Sequence, residues 1–216
     1  MTRTILCFGD SNTHGTIPMP HIDASGRFPH AARWPSVMAK ALGPEFEVIS
    51  EGHPGRTTAH DDPVEGKNRN ASRILSALLD SHLPLDLVII MLGTNDLKYR
   101  FHLNANDVAF GVANLIDTVR ASAAGPAGAA PKIIVIAPPP IREVGDLGDI
   151  FQGGATTSQG LGLAFAKMAA RYKVRLVQAG DIIAVSPVDG VHYEAEAQVT
   201  LGRAMADHVR AEFGGK

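Results

Sequence analysis

Only one cysteine, Cys7, occurs in the 216 residues. That excludes an internal disulfide and any zinc site built on cysteines. The longest apolar run, residues 87–92, is far shorter than the ~18 residues a membrane helix needs. Near the amino terminus only residues 5–8 form an apolar stretch, too short for the h-region of a leader, so a cytoplasmic protein with no membrane partner is expected. A basic excess is also missing: 20 Lys and Arg face 22 Asp and Glu, a net charge of −2. Nucleic-acid affinity rests largely on neutralising phosphates, so no nucleic acid is expected as a partner.

What is present is the material for a core. Apolar residues make up 45% of the chain, too many for disorder. Gly and Pro number 22 and 14, one residue in six against an ordinary share of roughly 12%, which points to many punctuated turns. Apolar stretches at 4–8, 46–49, 87–92, 133–137 and 175–177 have strand length. Leu-Val-Ile-Ile-Met-Leu and Ile-Ile-Val-Ile-Ala do not alternate, as in parallel strands covered on both faces. Between them, Val108, Val112, Leu115, Ile116 and Val119 form one helical stripe starting after Asn106 and Asp107, and Leu201, Met205, Val209 and Phe213 form another. Residues 34–42, 71–79 and 161–172 are the other helix candidates. The alternation predicts a doubly wound α/β sandwich in one domain, 1–216. Residues 16–29 and 138–158 fit no element. Both follow predicted strands, so both should flank a ligand site at the strand ends.

Four polar segments also follow strands or precede the last helix. Gly9-Asp10-Ser11-Asn12-Thr13 has neither a phosphate-loop ending nor a Gly-x-Ser-x-Gly elbow. It offers an exposed serine hydroxyl at a strand-to-helix turn, or an ordinary helix cap. Asp189-Gly190-Val191-His192 offers an acid that can orient an imidazole three residues on, and a serine needs such a base; alternatively Asp189 caps a helix and His192 is merely exposed. Gly93-Thr94-Asn95-Asp96 supplies an amide donor or a polar turn. Pro54-Gly55 supplies a free backbone N–H or simply a type II turn. Singly each bland explanation is adequate. Together the segments hold a nucleophile, a base with its acid, and three donors, the parts that acyl transfer requires.

This ordered set resembles the SGNH (GDSL) hydrolases over nearly the whole chain, and most closely their bacterial arylesterase branch. Arg56-Thr57-Thr58, Asp61-Asp62-Pro63 and the segments 3–9 and 83–96 carry the closer likeness. The resemblance implies a flavodoxin-like three-layer α/β/α sandwich on five parallel strands. It implies Ser11 as nucleophile, His192 as general base, Asp189 as its orienting acid, and an oxyanion hole from the N–H groups of Ser11 and Gly55 with the Asn95 amide. It further implies a serine carboxylesterase acting on small short-acyl or aryl esters, with water or a second alcohol as acceptor, no cofactor, and assembly into a homo-oligomer. A carbohydrate O-deacetylase or a lysophospholipase uses the same chemistry, and a flavodoxin-like module holding phosphate or flavin is the non-catalytic alternative. Asn12 stands where Leu gives the family its GDSL name, and His14 where an aromatic residue is expected. Both adjoin Ser11 and are expected, with His53, Pro54, Val191 and Phe151 of the segment 138–158, to wall the substrate pocket. His53, His60, Asp61 and Asp62 could suggest a metal site, but with no helical His-x-x-x-His pair they read as solvated loop residues. Asp10 and Asp96 are expected to brace the site loops by hydrogen bonds.

Overall fold

The computed structural model describes residues 2–214. Its parallel strands are β1 (Arg3–Gly9), β2 (Phe46–Gly52), β3 (Leu87–Met91), β4 (Lys132–Ala137) and β5 (Arg175–Gln178), in the order β2-β1-β3-β4-β5. Each predicted strand is present, most extended by a residue or more. The helices are α1 (Ser11–His14), α2 (Trp34–Leu42), α3 (Leu75–His82), α4 (Ala105–Ala121), α5 (Gly145–Ile150), α6 (Gly154–Ser158), α7 (Leu161–Tyr172) and α8 (Ala195–Glu212).

The unbroken apolar strands are explained by burial on both faces. Leu6, Phe8, Val88, Ile90 and Val135 pack against Leu75 and Leu79 of α3, the Val108–Val119 stripe of α4, and Leu161 and Phe165 of α7. Their strand neighbours Ile5, Cys7, Ile89, Ile134 and Ile136 pack instead against Trp34 and Met38 of α2 and Leu201, Met205 and Val209 of α8. The result is a three-layer sandwich. Gly202 lets α2 and α8 approach, since a Cβ there would stand 2.6 Å from the Trp34 carbonyl oxygen. Cys7 is fully buried, and burial pushes its thiol well up from the ordinary range.

Three expectations need correction. Helix α4 begins at Ala105, ahead of Asn106 and Asp107 and not after them, because Asn104 caps it and Asp107 completes a reciprocal capping box. The segment 138–158 is not irregular throughout: it folds into α5 and α6, anchored by buried Leu147 and Phe151. The helix predicted at 71–79 is a 3₁₀ turn over Ala71–Arg73 followed by α3.

The chain leaves β1 toward β2 on one side and returns to β3 on the other. The β1/β3 boundary is thus a topological switch point, where open α/β sheets bind ligands at their carboxyl ends. Ser11 follows β1, Gly55 follows β2 and Asn95 follows β3, so three adjacent strands deliver them to one edge.

Candidate active site

Helix α1 is a single turn, and Asp10, not Ser11, caps it: Asn12 N–H donates to Asp10 Oδ1 at 2.9 Å. Gly15 at φ +86° ends the turn. Two glycines let it lie on the strand ends. A Cβ on Gly9 would meet Thr13 Oγ1 at 2.1 Å, and one on Gly52 would meet the His14 backbone nitrogen at 2.1 Å. Ser11 therefore starts the turn, buried except for its face on a cavity.

His192 and Asp189 reach that turn on the irregular stretch ahead of α8, not on a helical turn. Asp189 Oδ1 accepts from the N–H groups of Val191 (3.0 Å) and His192 (2.9 Å), which folds the stretch back on itself. Asp189 Oδ2 lies 2.6 Å from His192 Nδ1 and accepts from Met19 N–H at 2.7 Å. His192 Nε2 lies 3.1 Å from Ser11 Oγ. Burial alone would raise the Asp189 carboxyl, but the hydrogen bond and charge of His192 and the backbone donors outweigh it and hold the group at about 2. It does not cap α8.

A tether that the sequence reading missed holds this geometry. Gln198, fully buried on α8, accepts from Trp34 N–H at 2.9 Å and donates to the Asn12 carbonyl at 3.0 Å. Asn12 donates in turn to the Val191 carbonyl at 3.2 Å. The serine turn and the histidine stretch are thus fastened to one another directly and through α8. A lone glutamine one helical turn before Leu201 and Gly202 was the available signal.

Asn95 and Gly55 face the same cavity as Ser11 and His192. Among the described residues Asn95 Nδ2 makes only a long hydrogen bond, 3.4 Å, to Asp10 Oδ2, so its amide keeps donor capacity for another acceptor. Gly55 has φ +75°, and Arg56 N–H donates to the His53 carbonyl at 3.2 Å, as expected of a turn whose third residue needs positive φ. Asp10 is buried, which raises its carboxyl to about 6 against the lowering effects of the Asn12 N–H, His192 and Arg56. Asp96 accepts from Thr58 N–H (3.1 and 3.0 Å) and Thr58 Oγ1 (2.5 Å), bracing the loop after β3 against the loop after β2.

The cavity holds about 230 Å³. Met19, Ile22, Leu147, Ile150, Phe151 and Val191 make an apolar wall, while Pro54, Thr16, Glu65 and Lys98 complete the lining. Of the six expected wall residues, Pro54, Val191 and Phe151 line it. Asn12, His14 and His53 do not: Asn12 is spent on the tether, His14 Nδ1 turns to Thr16 Oγ1 at 3.3 Å, and His53 packs on Arg69.

The acidic run after β2 also needs correction, because Asp62 is buried rather than solvated. Val64 and Glu65 N–H donate to it at 2.8 and 3.0 Å, and Lys98 Nζ and Arg100 Nε approach within 3.4 and 3.5 Å. Lys98, itself buried, also pairs with Glu65. Asp61 instead pairs with Arg73, and His60 sits 3.6 Å from Asp96. Among the described residues, no group of three or more His, Cys, Asp or Glu is placed to hold a metal ion.

A model of the GDSL-like lipase/acylhydrolase family matches residues 7–198. The chain belongs to this family. Its structure resembles that of an aryl esterase of M. smegmatis, with 40% identity, a TM-score of 0.93, and 97% of this chain and 99% of that one covered. It resembles equally a carbohydrate acetylesterase from Sinorhizobium meliloti, at 42% identity, a TM-score of 0.94, and coverage of 98% and 100%. A carbohydrate acetylesterase family member from the same organism follows at 36%, 0.90, and coverage of 99% and 100%. No curated protein matches the chain. The protein is a serine ester hydrolase of the SGNH type, and the non-catalytic flavodoxin-like alternative gives way to that family membership. No helix of the described residues is long and apolar enough to cross a membrane.

Proposed function

We propose that this SGNH hydrolase cleaves small short-acyl or aryl esters through an acyl-enzyme on Ser11. The observation that carries the assignment of roles is the 3.1 Å approach of His192 Nε2 to Ser11 Oγ on a cavity shared with Gly55 and Asn95. His192 Nε2 takes the hydroxyl proton as Oγ bonds to the ester carbonyl carbon. The carbonyl oxygen gains the electron pair and is held by the N–H groups of Ser11 and Gly55 and by Asn95 Nδ2. When the C=O reforms, the C–O bond to the alcohol breaks and Nε2 returns the proton to the departing oxygen. Water, or a second alcohol, repeats the sequence to free the acyl group. Asp189 holds the imidazole and stays ionised beside the imidazolium.

A cavity of about 230 Å³ is smaller than the ~300–1,000 Å³ of drug-sized sites, which supports a short acyl group. Carbohydrate O-deacetylation is a second reading, favoured by the presence of the polar residues Glu65 and Lys98 in the lining of the same cavity. No specific feature favours a lysophospholipase. A single-domain enzyme, a cytoplasmic setting, homo-oligomeric assembly and acyl transfer to alcohols are carried with this reading. The test is kcat/KM along a series of p-nitrophenyl esters, beside acetate release from peracetylated sugars. The first reading expects a maximum at acetyl to butyryl with poor sugar deacetylation. A maximum at octanoyl or longer contradicts it.

A further inference from the structure

We propose that Arg69 is a positioning residue that fixes the aim of the Gly55 N–H, through the opposite end of the same peptide group. The inference rests on the reading of that N–H as an oxyanion donor. Arg69 Nη1 donates to the Pro54 carbonyl oxygen at 2.7 Å, and His53 Nδ1 lies 3.1 Å from the same oxygen. Pro54 C=O and Gly55 N–H belong to one planar trans unit, so they point in opposite directions. Holding the carbonyl outward, on Arg69, aims the N–H inward.

The holding is needed because this peptide lies in the middle of the turn closed by Arg56 N–H on the His53 carbonyl. The middle peptide of such a turn can flip, exchanging φ near ~+80° for about −90° at the third residue. Glycine has no Cβ to oppose either state. Gly55 stands at φ +75°, and among the described residues its N–H donates to no protein group. A flip would turn the Pro54 carbonyl, an acceptor, toward the developing oxyanion and remove one donor. A charge-assisted bond to a guanidinium opposes the flip more strongly than a neutral one, and it also polarises the peptide so that its N–H becomes a better donor.

Arg69 is built in for this task. Its own carbonyl accepts from Thr57 N–H at 2.9 Å, and Thr57 and Asn70 form a parallel bridge, which carries the side chain back beneath the turn. Its Nη1 packs 2.9 Å from His53 Nδ1, and its Nε lies 3.8 Å from Glu65 Oε2. Glu65 in turn rests against the glycine: a Cβ on Gly55 would stand 2.2 Å from Glu65 Oε2. Glu65 is held by Arg100 Nη2 at 3.0 Å and by Lys98. The guanidinium thus spans from a fixed carboxylate to the carbonyl of the turn.

The test compares Arg69→Met, Arg69→Lys and, as a control on an exposed ion pair with Asp61 outside the cavity, Arg73→Met, on an aryl acetate. Arg69→Met is expected to lower kcat ~10–100-fold, less than outright loss of a donor because the flip leaves part of the population competent, with KM changed less than about threefold. Arg69→Lys should recover most of that loss, Arg73→Met should match the wild type, and the ¹H–¹⁵N signal of Gly55 should shift or broaden in Arg69→Met alone. Should the methionine variant fail to fold, Arg69→Gln, which keeps a neutral donor, is expected to lose roughly 3–10-fold in kcat. A kcat within twofold of wild type in the variant that folds, or a loss confined to KM, overturns the proposal. The parent reading fails separately: activity retained in Ser11→Ala removes the acyl-enzyme and with it the oxyanion that Gly55 would bind, whereas a loss there with Arg69→Met unaffected removes only the role of Arg69.

Discussion

His192 Nε2 stands 3.1 Å from Ser11 Oγ although 181 positions of chain separate the two residues. The first lies ahead of the last helix and the second follows the first strand, and what joins them is the Asn12–Val191 hydrogen bond and the Gln198 tether.

Asn95→Ala is expected to lower kcat by roughly 10²–10³-fold, the usual scale for one oxyanion donor, with little effect on KM. Among the described residues the one hydrogen bond of its side chain is the 3.4 Å approach to Asp10, so the thermal midpoint should stay within a few degrees. Steady-state kinetics and a melting curve on the same preparation check both parts.

Asp189→Asn should lower kcat by about 10³–10⁴-fold, the scale of losing the orienting carboxylate of a Ser-His-Asp triad. The Asp189 carboxyl is held at about 2, below its unfolded value of ~3.9. It therefore stays ionised across the working range and is not the source of an acidic loss of activity. Its stabilising contribution is complete above pH ~4 and disappears as pH falls through about 2. Chemical denaturation of wild type and variant between pH 2 and 5 should show the two curves converging toward the acid end.

Much of this site could be read from the chain before any coordinates. The apolar runs 4–8, 46–49 and 87–92 marked strands, the last of them by its lack of alternation as buried on both faces, and the polar residues that follow these runs fall on one sheet edge. Interactions between side chains distant in sequence could not be read in the same way. Asp62 looks solvated in an acidic loop until the fold brings Lys98 and Arg100 onto it. Adjacency in sequence also misled for Asn12: successive residues of a helical turn point about 100° apart, so the neighbour of Ser11 faces Val191 and α8, not the cavity. Glu65, Lys98 and Met19 reach the cavity only because their loops fold over it.

Asp10→Asn tests the buried acid beside the nucleophile. Burial raises the Asp10 carboxyl to about 6, above its unfolded ~3.9, so between those values the folded state keeps a proton that the unfolded chain has lost. Stability from this group accordingly falls as pH rises through that window. The asparagine retains an acceptor for Asn12 N–H and should melt higher than wild type at pH 7 to 8 but close to it at pH 4. A midpoint difference that does not change with pH would count against the buried-acid account.

Phe151→Ala should move the acyl-chain optimum toward longer chains, because Phe151 contributes to the apolar wall of a cavity of about 230 Å³. The ring is almost wholly buried, so a cost of about 3–5 kcal/mol is expected, and rates should be compared well below the variant's midpoint. An unchanged chain-length profile would place the acyl group elsewhere.

The most direct measurement treats the protein with a fluorophosphonate, digests it, and locates the adduct by peptide mass mapping, in wild type and in His192→Ala. One adduct is expected, on Ser11, and it is lost in the variant. An adduct on another residue, or labelling of Ser11 that survives unchanged without the imidazole, would contradict the roles given to Ser11 and His192.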